Sequence, residues 1–117
     1  MLFCTQDPPS PKVKPMKPKK MSQIVGRFRY DTEKAELIAD DAYYDGKNWE
    51  RNDTNTFLYR TPNGRYFITF INRGEKFPGP TVLRPLLMED AITLFYELKQ
   101  KHKPFKEAFP GIEILDA

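Results

Sequence analysis

An alternation of apolar and polar side chains around an Asn-Gly pair predicts a β-hairpin in the middle of the chain. Aromatic and β-branched residues dominate positions 57–61 and 66–71, and Asn63-Gly64 between them is typical of a two-residue type I′ turn. That turn pairs Tyr59 with Ile68 and predicts a core-facing set made of Phe57, Tyr59, Tyr66, Ile68 and Phe70. Arg60 then lies on the opposite face, although a one-residue shift of register would exchange the two faces.

The segment before this hairpin predicts another hairpin, followed by a long loop. Apolar and basic residues alternate from Ile24 to Tyr30, which indicates a strand, and the polar stretch 31–34 predicts a turn into a returning strand at 35–39. Residues 40–55 are rich in Asp, Asn and Gly and predict a loop that carries Tyr43, Tyr44 and Trp49. A loop of this length is commonly functional or mobile.

The C-terminal half predicts a short strand and the main helix. Residues 81–84 form an apolar run closed by Pro85, which indicates the strand. Apolar residues recur every three to four positions over 88–101, with acidic residues near the start and lysines near the end, as a helix macrodipole favours. A helical turn is predicted at 105–109 and an edge strand at 111–115.

Together these elements predict an α+β fold. We expect a single small antiparallel β-sheet of four to five strands with the 88–101 helix packed on one face. A chain of 117 residues supports one domain, assigned to residues 21–117. Residues 1–20 combine repeated prolines with lysines and predict a disordered tail, which is either a solvated leader or start-site extension, or a cationic arm.

The charge of the chain is unevenly divided. The formal net charge is +3, but the first 20 residues carry five lysines and one aspartate, while the remainder carries 14 basic and 15 acidic side chains. The predicted domain is therefore close to neutral, which argues against strong nucleic-acid attraction. The single Cys4 forms no internal disulfide, and the chain contains neither a secretory signal nor an apolar run of about 18 residues. We expect a cytoplasmic protein without membrane contact.

Three stretches resemble a group of small, largely uncharacterised proteins found on bacterial phages and plasmids. They are residues 30–39 (YDTEKAELIA), residues 58–67 (LYRTPNGRYF) and residues 85–91 (PLLMEDA), which are similar to that group's helix start. The chain departs from the group at Leu87, where a Thr cap is expected, so that one N-cap hydrogen bond worth about 1 kcal/mol is missing. The resemblance implies a mobile-element origin, and no activity or functional residue is carried over.

Reactive side chains are sparse and scattered. His102 is the only histidine and is expected at the helix end, far in sequence from Cys4, so neither a Cys-His pair nor a zinc site is predicted. The acidic residues follow no calcium-loop spacing and are interpreted as a solvated strand edge and turn: Glu33, Glu36, Asp40, Asp41 and Asp45. Glycines are dispersed, which excludes a phosphate loop. We therefore predict no enzyme, no catalytic residue, no cofactor and no metal.

Two surfaces are candidates for binding. The first is the long loop, because Trp, Tyr and Arg most often anchor protein interfaces, and it supplies Tyr43, Tyr44, Trp49 and Arg51. The alternative for Trp49 is that its ring covers the core. The second would contact nucleic acid through cations of the tail and sheet: Lys12, Lys14, Lys17, Lys19, Lys20, Arg27, Arg29, Arg60 and Arg65. Its stacking rings would come from Tyr59, Tyr66 and Phe67, although most of these are needed for the core.

The functional expectation follows from these two surfaces. We expect a non-catalytic mobile-element protein that binds a macromolecular partner, namely a host protein, as an inhibitor or regulator of the anti-defence (anti-CRISPR-like) kind. The alternative is a nucleic-acid-binding accessory protein that uses the lysine tail and an Arg/aromatic sheet face. The oligomeric state is left open by the sequence.

Overall fold

Seven strands and two helices make up the computed structural model, which describes residues 20–43, 46, 47, 51, 54–72 and 81–112. The elements are β1 (Ser22–Val25), β2 (Phe28–Asp31), β3 (Glu36–Asp40), β4 (Thr54–Arg60), β5 (Tyr66–Asn72), β6 (Val82–Leu86), α1 (Met88–Glu97), β7 (Gln100–Lys101) and α2 (Phe105–Ala108). Five strands form an antiparallel sheet in the order β6-β5-β4-β3-β7, and β1 and β2 form a separate two-stranded sheet. The predicted α+β class is confirmed.

The central hairpin has a three-residue loop, so the predicted two-residue turn and its register are wrong. The Gly64 amide donates to the Thr61 carbonyl at 2.9 Å and the Thr61 amide donates to the Arg65 carbonyl at 2.7 Å. Pro62 supplies the fixed φ that suits the second position of such a turn, and Gly64 adopts a φ of +82°, which a residue with a Cβ rarely does. Tyr59 consequently pairs with Phe67.

The one-residue shift moves two of the five predicted core-facing residues to the other face of the sheet. Tyr66 and Ile68 remain on one face with Leu58, whereas Phe57 and Tyr59 lie on the other face with Phe67. The buried cluster on the helix side is Ile38, Ala39, Leu58, Tyr66, Ala91, Phe95, Leu98, Ala108 and Phe109. The buried cluster on the opposite side is Tyr30, Ala42, Phe57, Tyr59, Phe67, Ile71 and Leu83. Both faces of the sheet are therefore covered.

The second face is covered by β1 and β2, and the prediction of one continuous strand from Ile24 to Tyr30 is wrong. The chain turns at Gly26, whose φ is +64°, so that Val25 pairs with Phe28. The predicted pairing of this segment with 35–39 is wrong, because β3 pairs with β4 and β7. The ring of buried Tyr30 meets Phe67 edge to face at a centroid distance of 5.4 Å and anchors the small sheet.

Helix α1 ends four residues before the predicted boundary. Leu98 follows it in an extended conformation with ψ of 125°, and Gln100 and Lys101 then pair with Asp40 and Ala39 as β7. Pairing with the open edge of β3 competes with a further helical turn, and it satisfies main-chain groups that the edge would leave free. The helix therefore has no basic residue in its last turn.

The remaining predictions have mixed outcomes. Leu87 is the N-cap of α1 and makes no side-chain capping bond, as predicted. The turn at 105–109 is confirmed as α2, and β6 continues through Pro85, which an edge strand tolerates. Residues 1–19 of the expected tail and residues 113–115 of the edge strand predicted at 111–115 lie outside the described residues, and residues 111–112 form no strand. Across the described part of the chain, no helix is long and apolar enough to cross a membrane.

Candidate binding cleft

The acidic residues of the 33–41 region are engaged in separate structural contacts. Asp40 is buried because a bulge between Leu37 and Ala39 rotates the end of β3. One carboxylate oxygen of Asp40 accepts the Ala42 amide at 3.0 Å, and the other lies 2.7 Å from Nε2 of His102. His102 is therefore a partner of a buried carboxylate just after β7, and its predicted place in the last helical turn is wrong.

The other carboxylates are equally occupied. Asp41 accepts a hydrogen bond from the amide of Thr56 at 2.9 Å, which links the residue after β3 to β4. Glu36 pairs with Lys103 at 3.3 Å, on the far side of β3 from Asp40. Asp45 lies outside the described residues. Among the residues that the structure describes, no three His, Cys, Asp or Glu side chains come close enough to hold a metal ion.

The aromatic sheet face proposed for nucleic acid does not exist as a surface. Tyr59, Tyr66 and Phe67 are each at most 3% exposed, because β1 and β2 cover one face and the helices cover the other. Tyr66 donates its hydroxyl to the Ala108 carbonyl at 2.6 Å. Burial raises the pKa of Tyr59 to about 12 and also raises the pKa of Tyr66. These rings stabilise the core and are not available to stack on bases.

Tyr43 and Arg51, two of the four predicted partner-binding residues, contact each other. The Arg51 guanidinium lies 4.0 Å from the centre of the Tyr43 ring and donates to the Tyr43 carbonyl at 2.6 Å. The Arg51 main chain also exchanges hydrogen bonds with Thr54. Arg51 therefore ties the two ends of the loop together. Tyr44 and Trp49 lie outside the described residues.

A cleft forms where β2 meets the loop of the central hairpin. We call it the hairpin cleft; it is lined by residues 28–31, Lys34, residues 61–63 and Arg65, and has a volume of about 220 Å³. Arg65 lines the cleft with its guanidinium carbon 3.7 Å from the centre of the Phe28 ring. This cation–π contact joins the two hairpins that form the walls.

The hairpin cleft is cationic and carries an exposed aromatic ring. Arg29, Lys34 and Arg65 line it against one carboxylate, Asp31, which accepts the Glu33 amide at 2.9 Å. Phe28 remains 42% exposed although Arg65 stacks on it. A surface of this kind attracts anionic groups and offers an apolar contact beside them.

The lysines and arginines that were predicted to bind nucleic acid lie in several separate parts of the molecule. Arg29 and Arg65 both line the hairpin cleft, and Arg27 is exposed at the β1–β2 turn. Arg60 is half-buried and lies opposite Tyr66 in the β4–β5 register, on the helix side of the sheet. Lys20 is exposed and lies 3.6 Å from Glu33. Lys12, Lys14, Lys17 and Lys19 lie outside the described residues.

Phe28 and Lys34 were not predicted to be members of a shared site. The signal that could have indicated them is the Gly26-Arg27 pair, because a glycine inside an alternating run often marks a tight turn. A turn predicted at this pair would have divided the continuous strand into β1 and β2. The approach of β2 to the loop after Thr61 depends on Tyr30 packing against Phe67, which no local pattern encodes.

Comparison with known proteins assigns no family to this arrangement. No family model matches the chain, and no match is found among curated proteins or among solved structures.

Proposed function

We propose that this chain is a non-catalytic protein of a mobile genetic element that binds a host protein in the cytoplasm, as an inhibitor or regulator of the anti-defence kind. The observation that carries the proposal is the hairpin cleft, which Arg29, Lys34 and Arg65 line together with an exposed Phe28. The mobile-element part is supported by the resemblance of residues 30–39 and 58–67 to phage and plasmid proteins. The cytoplasmic part is supported by the single cysteine.

The size and chemistry of the hairpin cleft favour a protein partner. Its volume of about 220 Å³ is below the range of about 300–1,000 Å³ that small-molecule sites occupy. It suits a few side chains of a larger surface. Arginine and aromatic residues are the side chains that most often dominate binding energy at protein interfaces. The hairpin cleft has three cationic side chains and one carboxylate, Asp31, so its net charge is positive. A partner with an acidic surface is favoured, since complementary charge raises association rates and specificity.

A nucleic acid is the second candidate, because the same cations would attract phosphates. The geometry supports it less. Single-strand binding requires free aromatic faces for base stacking. Tyr59, Tyr66 and Phe67 are buried, and Arg65 already covers a face of Phe28. What remains is attraction between cations and phosphates, to which the tail lysines would add.

Affinity capture with matched charge variants tests the proposal. The tagged full-length chain is incubated with bacterial lysate, with and without nuclease, beside an Arg29→Glu/Lys34→Glu double variant. Both side chains are exposed, so their replacement should leave the fold intact. The control is Arg84→Glu, a charge reversal at an exposed arginine on the edge strand β6. Circular dichroism verifies that all variants are folded.

We expect one host protein to be captured by the wild type and by Arg84→Glu, to survive nuclease, and to be lost from the double variant. The purified host protein should then lose activity when the wild type is added. Capture that is equal for all variants would remove the hairpin cleft from the function. Capture that disappears with nuclease would favour the nucleic-acid candidate.

A further inference from the structure

Strand β2 has an open edge. Its neighbour β1 lies along one side only, and the described residues contain no strand that pairs with the other side. The Thr32 amide donates to the Met21 carbonyl at 3.0 Å, which makes these residues a hydrogen-bonded pair. In an antiparallel ladder such pairs alternate, so the main-chain groups of Phe28 and Tyr30 point towards β1 and those of Arg29 point away from it.

Among the residues that the structure describes, the outward groups of Arg29 therefore have no main-chain partner. Outside the β1–β2 ladder, no main-chain hydrogen bond from another described residue reaches the Arg29 amide or carbonyl. Asp31 also faces outward, but its carbonyl already accepts the amides of Lys34 and Ala35 in the following turn. The free edge thus centres on Arg29, with the Asp31 amide beside it. An unpaired row of this kind is a template for another extended chain.

We infer that β2 accepts an extended acidic segment of the partner protein as an added strand along the hairpin cleft; this inference rests on the proposed function. The added strand would bond to the Arg29 amide and carbonyl, and its carboxylates would face Lys34 and Arg65. Strand addition supplies affinity through the main chain and specificity through alternate side chains. It also extends the two-stranded β1–β2 sheet to three strands, which is the more stable form.

Two other occupants fit the edge less well. A second copy of the chain pairing antiparallel about Arg29 would place the two Arg29 side chains directly opposite each other, and like charges in that position are destabilising. A nucleic acid provides phosphates for the cations but no main-chain amides that continue a ladder. Of these three occupants, only an acidic polypeptide provides both main-chain groups for the edge of β2 and negative charges for the cations.

Peptide binding followed by NMR tests this mode on the full-length protein. The probe is a six-residue peptide that alternates glutamate and valine. Its matched controls are the lysine and valine peptide and a glutamate peptide N-methylated at alternate amides, which keeps the charge but cannot complete the ladder. The readouts are Kd from fluorescence anisotropy and hydrogen exchange of the Arg29 amide.

We expect the glutamate peptide to bind and to slow exchange of the Arg29 amide by about ten-fold or more at saturation. The lysine peptide should not bind, and Lys34→Glu/Arg65→Glu should weaken Kd by about ten-fold while Arg84→Glu leaves it unchanged. Equal binding of the N-methylated peptide, or an Arg29 amide that stays unprotected, would overturn strand addition. Tighter binding of single-stranded oligothymidylate at the same residues would overturn it as well.

The two experiments distinguish a failure of strand addition from a failure of the proposed function. A host protein whose capture depends on Arg29 and Lys34, combined with a glutamate peptide that does not bind, overturns strand addition and leaves the proposed function standing. Binding of the peptide with protection of Arg29, without any captured host protein, supports strand addition and counts against the proposed function.

Discussion

At the scale of single residues, the Asp40–His102 pair joins β3 to the chain after β7. The Asp40 side chain is 3% exposed and the His102 side chain 35% exposed, so the carboxylate is the desolvated partner. The His102 main chain binds independently, since its amide donates to the Ile38 carbonyl at 2.9 Å. Replacing the imidazole therefore removes only the side-chain contact.

We predict that His102→Ala lowers the free energy of unfolding by about 1–3 kcal/mol, because a buried carboxylate oxygen loses its partner. Urea denaturation measures the change. The matched control is Lys103→Ala, which breaks a partly exposed contact with Glu36 and should cost at most about 1 kcal/mol. Equal losses in the two variants would show that the Asp40–His102 contact has no special weight.

Because Tyr59 is buried, the free energy of unfolding depends on pH in the alkaline range. Its pKa is raised from 10.0 to about 12, so the folded chain keeps a proton that the unfolded chain releases above pH 10. The stabilisation is complete below pH 10 and is lost as the pH rises towards 12, by about 2–3 kcal/mol in total. We predict that Tyr59→Phe flattens the fall in unfolding free energy over this interval.

Denaturant titrations between pH 9 and pH 12 measure that slope for the wild type and the variant. Tyr96→Phe is the control, because the Tyr96 side chain is 63% exposed and its removal should leave the slope unchanged. Near-ultraviolet absorbance should show Tyr59 ionising above the pH at which free tyrosine does. Parallel slopes for wild type and Tyr59→Phe would contradict the assignment.

At the scale of elements, the start of α1 lacks a stabilising interaction that the chain has room for. Leu87 occupies the N-cap in an extended conformation, is 73% exposed and makes no capping bond. A serine there would accept a main-chain amide of the first turn, with Asp90 three residues later in the position of a capping-box acid. Little apolar burial is lost, because Leu87 is already in solvent.

We predict that Leu87→Ser raises the free energy of unfolding by about 1 kcal/mol. Leu87→Ala is the matched control, because it removes the same apolar side chain without adding an acceptor and should not stabilise the protein. Thermal and urea unfolding of both variants measure the difference. The prediction is contradicted when serine and alanine give the same stability.

At the scale of the whole molecule, three layers hold each other in place: the helices, the five-stranded sheet, and the small β1–β2 sheet. Within the described residues, Met21 is the first whose main chain is tied into the small sheet, through both the hydroxyl and the amide of Thr32. Removing β1 and β2 would expose Tyr59 and Phe67 to solvent. The small sheet is therefore part of the core as well as a wall of the hairpin cleft.

We predict that a chain beginning at Met21 keeps its unfolding midpoint within about 3 °C of the full chain, and that a chain beginning at Thr32 loses at least about 10 °C. The second figure follows from the loss of buried Tyr30, about 3 kcal/mol, at 4–8 °C per kcal/mol for a domain of about 100 residues. Differential scanning calorimetry compares the three chains. Equal midpoints for the two truncated chains would show that the small sheet is not part of the core.

Local chemistry determined much of this molecule in advance. The period of apolar residues over 88–98 is a property of the chain, so α1 and its uncapped start at Leu87 were predictable. The β-forming runs beside Gly64 identified both strands of the central hairpin. The arginines of the hairpin cleft were also recognised as candidate binding residues, because charge and side-chain type are visible without any fold.

Tertiary contacts decided the register, the partners and the site. Two hairpin registers differ by a single residue and are locally similar, and the burial of Phe67 on the second face selects between them. The same long-range packing brings β2 beside the central loop, ends α1 where β7 pairs with β3, and joins Asp40 to His102 across 62 positions. Contacts at such separations depend on closing the whole chain, so no window of sequence contains them.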